Sequence, residues 1–97
     1  MDQRIVDAVE GQRLLEFSYD GHPRVVEVHA YGITTAGHEA IRCYQVGGSG
    51  SDGASTGWHL MLEAKLVGVR PLDDRFAEPR PGYRKGDRGM SRIYCEL

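Results

Sequence analysis

From residue 14 to residue 72 the chain strings together five short β-prone segments, and no two of them are separated by a stretch that reads as a crossover helix. Parallel neighbours in a sheet require such a crossover, so this feature removes the doubly wound α/β folds and leaves an antiparallel sheet. The segments are residues 14–19, with Leu15, Phe17 and Tyr19 on one face, then 24–31, 39–46, 58–63 and 66–72. Asp20-Gly21-His22-Pro23 predicts a tight hairpin turn, Thr34 to His38 a second turn, and Gly32 a bend or bulge. Ahead of them, Asp2 can cap a short helix over residues 3–10, with Ile5, Val6 and Val9 as its apolar stripe and Gly11 as its stop. Short strands at close intervals after one helix predict a mainly β chain, a small and strongly curved barrel.

The 97 residues suffice for one domain. Residues 73–97 read as an irregular arm, with Phe76, Tyr83, Met90, Ile93 and Tyr94 as sparse apolar anchors and a last strand at 91–96. Charge is concentrated there. Residues 70–92 carry seven Arg or Lys and four acids, a net of +3 in a chain whose formal charge is −2. The overall charge gives no bulk attraction to nucleic acid or membrane; the local one reads either as a solvated arm or as a docking surface for an anion.

Gly47-Gly48-Ser49-Gly50 has the look of a phosphate cradle. Such loops work by presenting the anion to the N-terminus of a following helix, and here Trp58-His59-Leu60-Met61-Leu62 follows as a strand, with no Gly-Lys-Ser/Thr ending before it. The loop over 47–57 therefore predicts a mobile hairpin connection, dispensable for folding. Cys43 and Cys95 lack metal or redox spacing and are expected as reduced thiols in a cytoplasmic protein. The N-terminal residues have neither a signal-peptide core nor a transmembrane stretch. The four histidines show no zinc spacing and no serine sits in a nucleophile elbow. The expectation is a binding module without enzyme activity, cofactor or metal.

The order helix, Leu15-Glu16-Phe17-Ser18-Tyr19, turn, Arg24-Val25-Val26-Glu27-Val28-His29, Ala40-Ile41-Arg42-Cys43-Tyr44-Gln45 and then Lys65-Leu66 resembles the WYL domain over about residues 3–72. The naming tripeptide reads Cys43-Tyr44-Gln45 here, Val28 stands where the family usually has proline, and the helix-turn-helix common in the family is missing. The resemblance implies an Sm-like five-stranded antiparallel barrel acting as a stand-alone sensing or regulatory module. It also implies a basic, aromatic pocket for an anionic small molecule or single-stranded nucleic acid, built from Tyr19, Arg24, His29, Arg42, Tyr44 and Lys65. Arg42 and Tyr44 share a face by alternation. The competing role for Arg42 is an internal ion pair with Glu16, Glu27 or Glu63, and Trp58 reads as a barrel anchor. The alternative function is docking of a partner protein or of a second copy, through a barrel edge or the arginine-rich arm.

Overall fold

A computed structural model describes residues 1–50 and 56–97. Helix α1 (Gln3–Glu10) starts at Asp2, whose side chain accepts the backbone N–H of Arg4 at 2.9 Å. Its buried stripe is Ile5, Ala8 and Val9, with Val6 only half-buried, so the small Ala8 takes the place expected of a larger side chain against the sheet. Strand β1 (Arg13–Tyr19) turns at Asp20 and Gly21, with φ of 52° and 76°, into β2 (His22–Thr34). Two consecutive left-handed residues form the turn whose twist matches that of the flanking strands.

The remaining strands are β3 (Glu39–Gly48), β4 (Gly57–Leu62), β5 (Val67–Arg75) and β6 (Met90–Glu96), with a 3-10 turn at Glu63–Lys65. All pairings are antiparallel, in the order β4-β3-β2-β1-β5. Strand β2 runs 13 residues and organises the sheet. β3 follows it from Arg24 to Ile33 on one side, while on the other β1 pairs with His22 to Val26 and β6 with Ala30 to Thr34. Register shifts between Val25 and Val26 and between Val28 and Ala30 bend the strand.

The expected five-stranded barrel is thus a six-stranded sheet that does not close. β5 pairs with β1, no ladder joins β4 to β5 among the described residues, and the sixth strand comes from the arm. β6 comes this close because position 32 is glycine; any side chain there would overlap the carbonyl oxygen of Arg92. Helix α1 packs on the inner face over Leu15, Phe17, Val26, Val28, Tyr31, Ile41, Cys43 and Met61. The expected mobile loop is also shorter than its glycines suggest at its start. Gly47 and Gly48 continue β3, and Ser49 N–H bonds the carbonyl of Pro23 at 2.9 Å. The part of that expectation falling on residues 51–55 lies outside the described residues. Among the described residues, no helix is long and apolar enough to cross a membrane.

Candidate functional site: a basic and aromatic groove under the arm

Alternation along β2, β3 and β4 sends Glu27, His29, Arg42, Tyr44 and Trp58 to the face opposite the helix, and residues 76–89 of the arm lie across that face. Gln12 holds the start of the arm, its carbonyl accepting from Phe76 N–H at 2.9 Å and its side chain donating to the carbonyl of Phe76 at 3.1 Å. Next comes Arg80. Its guanidinium forks onto Glu27 at 2.8 and 3.1 Å and lies 4.8 Å from the centre of the Tyr44 ring. A bidentate, charge-assisted pair on a carboxylate only 6% exposed fixes this part of the arm in one orientation.

The Arg80 backbone N–H donates to His29 Nε2 at 3.0 Å. The His29 ring is fully buried, with ring centres of Trp58 at 4.7 Å, Tyr83 at 5.2 Å and Phe76 at 5.7 Å. Trp58 donates its indole N–H to the carbonyl of Pro81 at 3.3 Å, and the Tyr83 hydroxyl donates to that of Leu97 at 3.0 Å. Farther along, Asp87 takes the Arg42 guanidinium at 2.6 and 3.3 Å. That pairing holds the Asp87 carboxyl below its ordinary range against the opposing effect of burial.

Between these contacts the arm and the sheet enclose an open groove of about 690 Å³. Arg42, Arg84, Lys85 and Arg88 supply its positive lining, Trp58 and Tyr83 its rings, and Asp87 its one acid. Arg84, Lys85 and Arg88 are exposed and take part in no ion pair among the described residues. Three unpaired cations beside two aromatic faces form a surface suited to an anion carrying a flat ring.

The structure does not gather the six expected residues into one pocket. Arg42, Tyr44 and His29 share the arm-covered face, where Arg42 lines the groove, Tyr44 carries Arg80 and His29 lies beneath the arm. Arg24 points to the inner face. It is 4% exposed, donates to Gln45 Oε1 at 3.2 Å and to the Tyr19 carbonyl at 3.3 Å, and lies 5.3 Å from the Tyr19 ring. The Tyr19 hydroxyl accepts Leu62 N–H at 3.3 Å, tying β1 to the end of β4. Lys65 is exposed on the 3-10 turn and does not line the groove. None of the three glutamates considered for Arg42 takes it. Glu16 pairs with Arg70, Glu27 with Arg80, and Glu63 with Tyr31, leaving Asp87 as the partner. The expected pocket omits Arg80, Tyr83, Arg84, Lys85, Asp87 and Arg88, although the excess positive charge of residues 70–92 already offers the arm as a docking surface for an anion.

A second cluster of titratable groups lies where β2, β3, β6 and the 3-10 turn meet. The Tyr31 hydroxyl donates to Glu63 and accepts Asp2 N–H at 2.7 Å, and the Tyr94 hydroxyl donates to Glu39 at 3.2 Å. Glu39 also accepts from the Tyr31 hydroxyl, at 3.3 Å, which brings the two carboxyls together on one hydroxyl. Burial, then the bond and charge of Glu39, push Glu63 up; the bond from Glu63, then that from Tyr94, pull Glu39 down. A raised carboxyl favours the fold below its ordinary value of 4.5, and that contribution is lost as pH rises through the folded-state pKa. Glu63→Gln keeps an acceptor for Tyr31 and a donor for Glu39. It should therefore leave stability unchanged near pH 4 and raise it at pH 8, as read by urea unfolding at the two pH values. An equal effect at both would show that Glu63 is ionised throughout. The two thiols are free, and burial pushes Cys43 up to about 12 and Cys95 to about 11, which leaves neither reactive near neutrality.

No family model, curated protein or solved structure matches this chain.

Proposed function

We propose that this chain is a small binding module that holds single-stranded nucleic acid, or a nucleotide-like anion, in the groove between its arm and its sheet. The observation that carries the reading is the placing of Arg84, Lys85 and Arg88, all without ion-pair partners among the described residues, around the rings of Trp58 and Tyr83. Phosphates supply charge for the three cations, and bases supply planes for the rings. Arg42, oriented by Asp87, adds a fourth positive group at the groove's floor. The groove's free cations lie outside residues 3–72, the span of the WYL resemblance. The binding reading therefore stands without the resemblance, and the resemblance adds a sensing or regulatory role, in the cytoplasm, where free thiols persist.

The test is salt dependence. Three cations at about −0.7 each predict a slope of about −2 in log affinity against log salt for a single strand. The triple variant R84A/K85A/R88A should flatten that slope and lose most of the binding while unfolding like the parent, since none of the three holds the fold together. An unchanged slope in the variant, or no binding by the parent at low salt, would overturn the reading. The second reading, docking through a strand edge, draws on the outer edges of β4 and β5, which pair with no further strand among the described residues, and on the exposed side chains of Leu60 and Val67. It predicts concentration-dependent self-association or partner binding that is insensitive to salt.

A further inference from the structure

We propose that occupation of the groove by a single-stranded phosphodiester is linked to a proton on His29: the strand is held while the imidazole is neutral and released when it is protonated. This deepens the nucleic-acid reading above and rests on it. His29 Nδ1 lies 2.9 Å from the Glu27 carbonyl oxygen, which can only accept, so Nδ1 carries the hydrogen. Nε2 accepts the N–H of Arg80 at 3.0 Å, so it carries none. One tautomer of the neutral ring satisfies both contacts. The imidazolium satisfies only the first, because its second N–H would meet another N–H in a buried site.

That second contact reaches the residue that anchors the arm, and the same ring supports Trp58 and Tyr83, the two aromatic walls of the groove. A proton on Nε2 therefore acts on the wall of the site without touching the ligand. Around the ring, β2 contributes the Glu27 carboxylate, and β3 contributes Tyr44 and Arg42 on the same face. The arm contributes the Arg80 guanidinium and the Tyr83 hydroxyl. The Leu97 N–H bonds the His29 carbonyl, and Trp58 of β4 and Phe76 face the ring with their own rings. Burial lowers the imidazole's pKa first; the Glu27 contacts oppose this and the Arg80 charge adds to it.

The sign is the distinctive part. Mild acid ordinarily adds positive charge to a protein and strengthens its hold on a polyanion. Here acid should weaken it. The test uses a dye-labelled deoxythymidine 12-mer without a terminal phosphate, whose phosphodiesters keep their charge across the range, titrated at fixed ionic strength from pH 7.5 to pH 5. The expected result is an affinity that falls toward pH 5 with its onset below the imidazole's ordinary value of 6.5, because burial lowers the ring's pKa, and by less than the ~30-fold an unshifted imidazole would give at pH 5 if only the released form takes up the proton. His29→Gln, which keeps an acceptor for Arg80 N–H and cannot titrate, should lose the fall, its affinity staying flat or rising toward pH 5 in the ordinary direction. In parallel, nitrogen NMR of the free protein should show the Nδ1–H tautomer at neutral pH and the Arg80 amide signal moving with the ring as it protonates; this readout decides the latch if the variant does not fold. Binding that stays flat or strengthens toward pH 5, or an Arg80 amide indifferent to the ring, overturns the linkage and leaves the strand reading standing. No binding at any pH, with ring and amide still titrating together, overturns the strand and leaves only the latch.

Discussion

Gly32→Ala should destabilise the fold by on the order of 3 kcal/mol or more, at the upper end of what overpacking a close contact costs. The new Cβ would overlap the Arg92 carbonyl oxygen and sit 2.9 Å from Ile93 Cα, and these are backbone atoms that cannot rotate aside. β6 would have to withdraw from β2, giving up its ladder from Ala30 to Thr34 and the cover that Tyr94 gives Tyr31, whose ring centre is 5.1 Å away. Urea unfolding should show a lower midpoint. A lower slope as well would mean that the sixth strand is already released in the folded state. Gly21→Ala is the control, because nothing lies within 4 Å of a Cβ there and only the left-handed φ of 76° is strained, a cost of ~1 kcal/mol. Equal effects for the two variants would show that β6 does not lie against position 32.

Arg80→Ala should detach the arm. It removes both donors to Glu27, leaves a carboxylate that is 6% exposed without its counter-charge, and takes the cation from the Tyr44 ring. Trypsin cleavage after Arg84, Lys85 and Arg88 should then accelerate on the order of tenfold, since cleavage reports how often the segment opens. Oligonucleotide binding should fall with it, because the groove loses a wall. Arg80→Lys should fall between, keeping the charge without the fork. Glu27→Gln should be milder than Arg80→Ala, because the guanidinium side chain left behind is 41% exposed and can be hydrated. Unchanged cleavage of Arg80→Ala would mean that Phe76, Trp58 and Tyr83 hold the arm by themselves.

Local pattern made the helix, the Asp20-Gly21 hairpin and the five strand segments of the sheet legible, because each depends on neighbours within a few residues. What alternation could not reveal was which cations share a face. Arg24 and Arg42 do sit on adjacent strands, yet the register shifts in β2 and the pairing of Arg24 with Gly48 put their guanidiniums on opposite sides of the sheet. Nor could it assign Arg42 its partner. Asp87 is 45 residues away, on a segment whose path is set by side-chain contacts and not by any repeating pattern. The arm read as irregular, and it is; its order comes from Gln12, Glu27, His29 and Arg42 reaching out to it from the sheet.

The division of one edge of β2 between two strands also sets a timetable. Its first half meets β1 across a two-residue turn and can pair within microseconds. Its second half must wait for residues 90–96, some sixty positions later, to be synthesised and to clear the ribosome. In that interval Tyr31, Ile33 and their neighbours offer an open ladder to any passing strand. The same long-range pairing that completes the sheet therefore makes its newest strand the guard against aggregation, and folding of the whole should be slow for a chain of 97 residues.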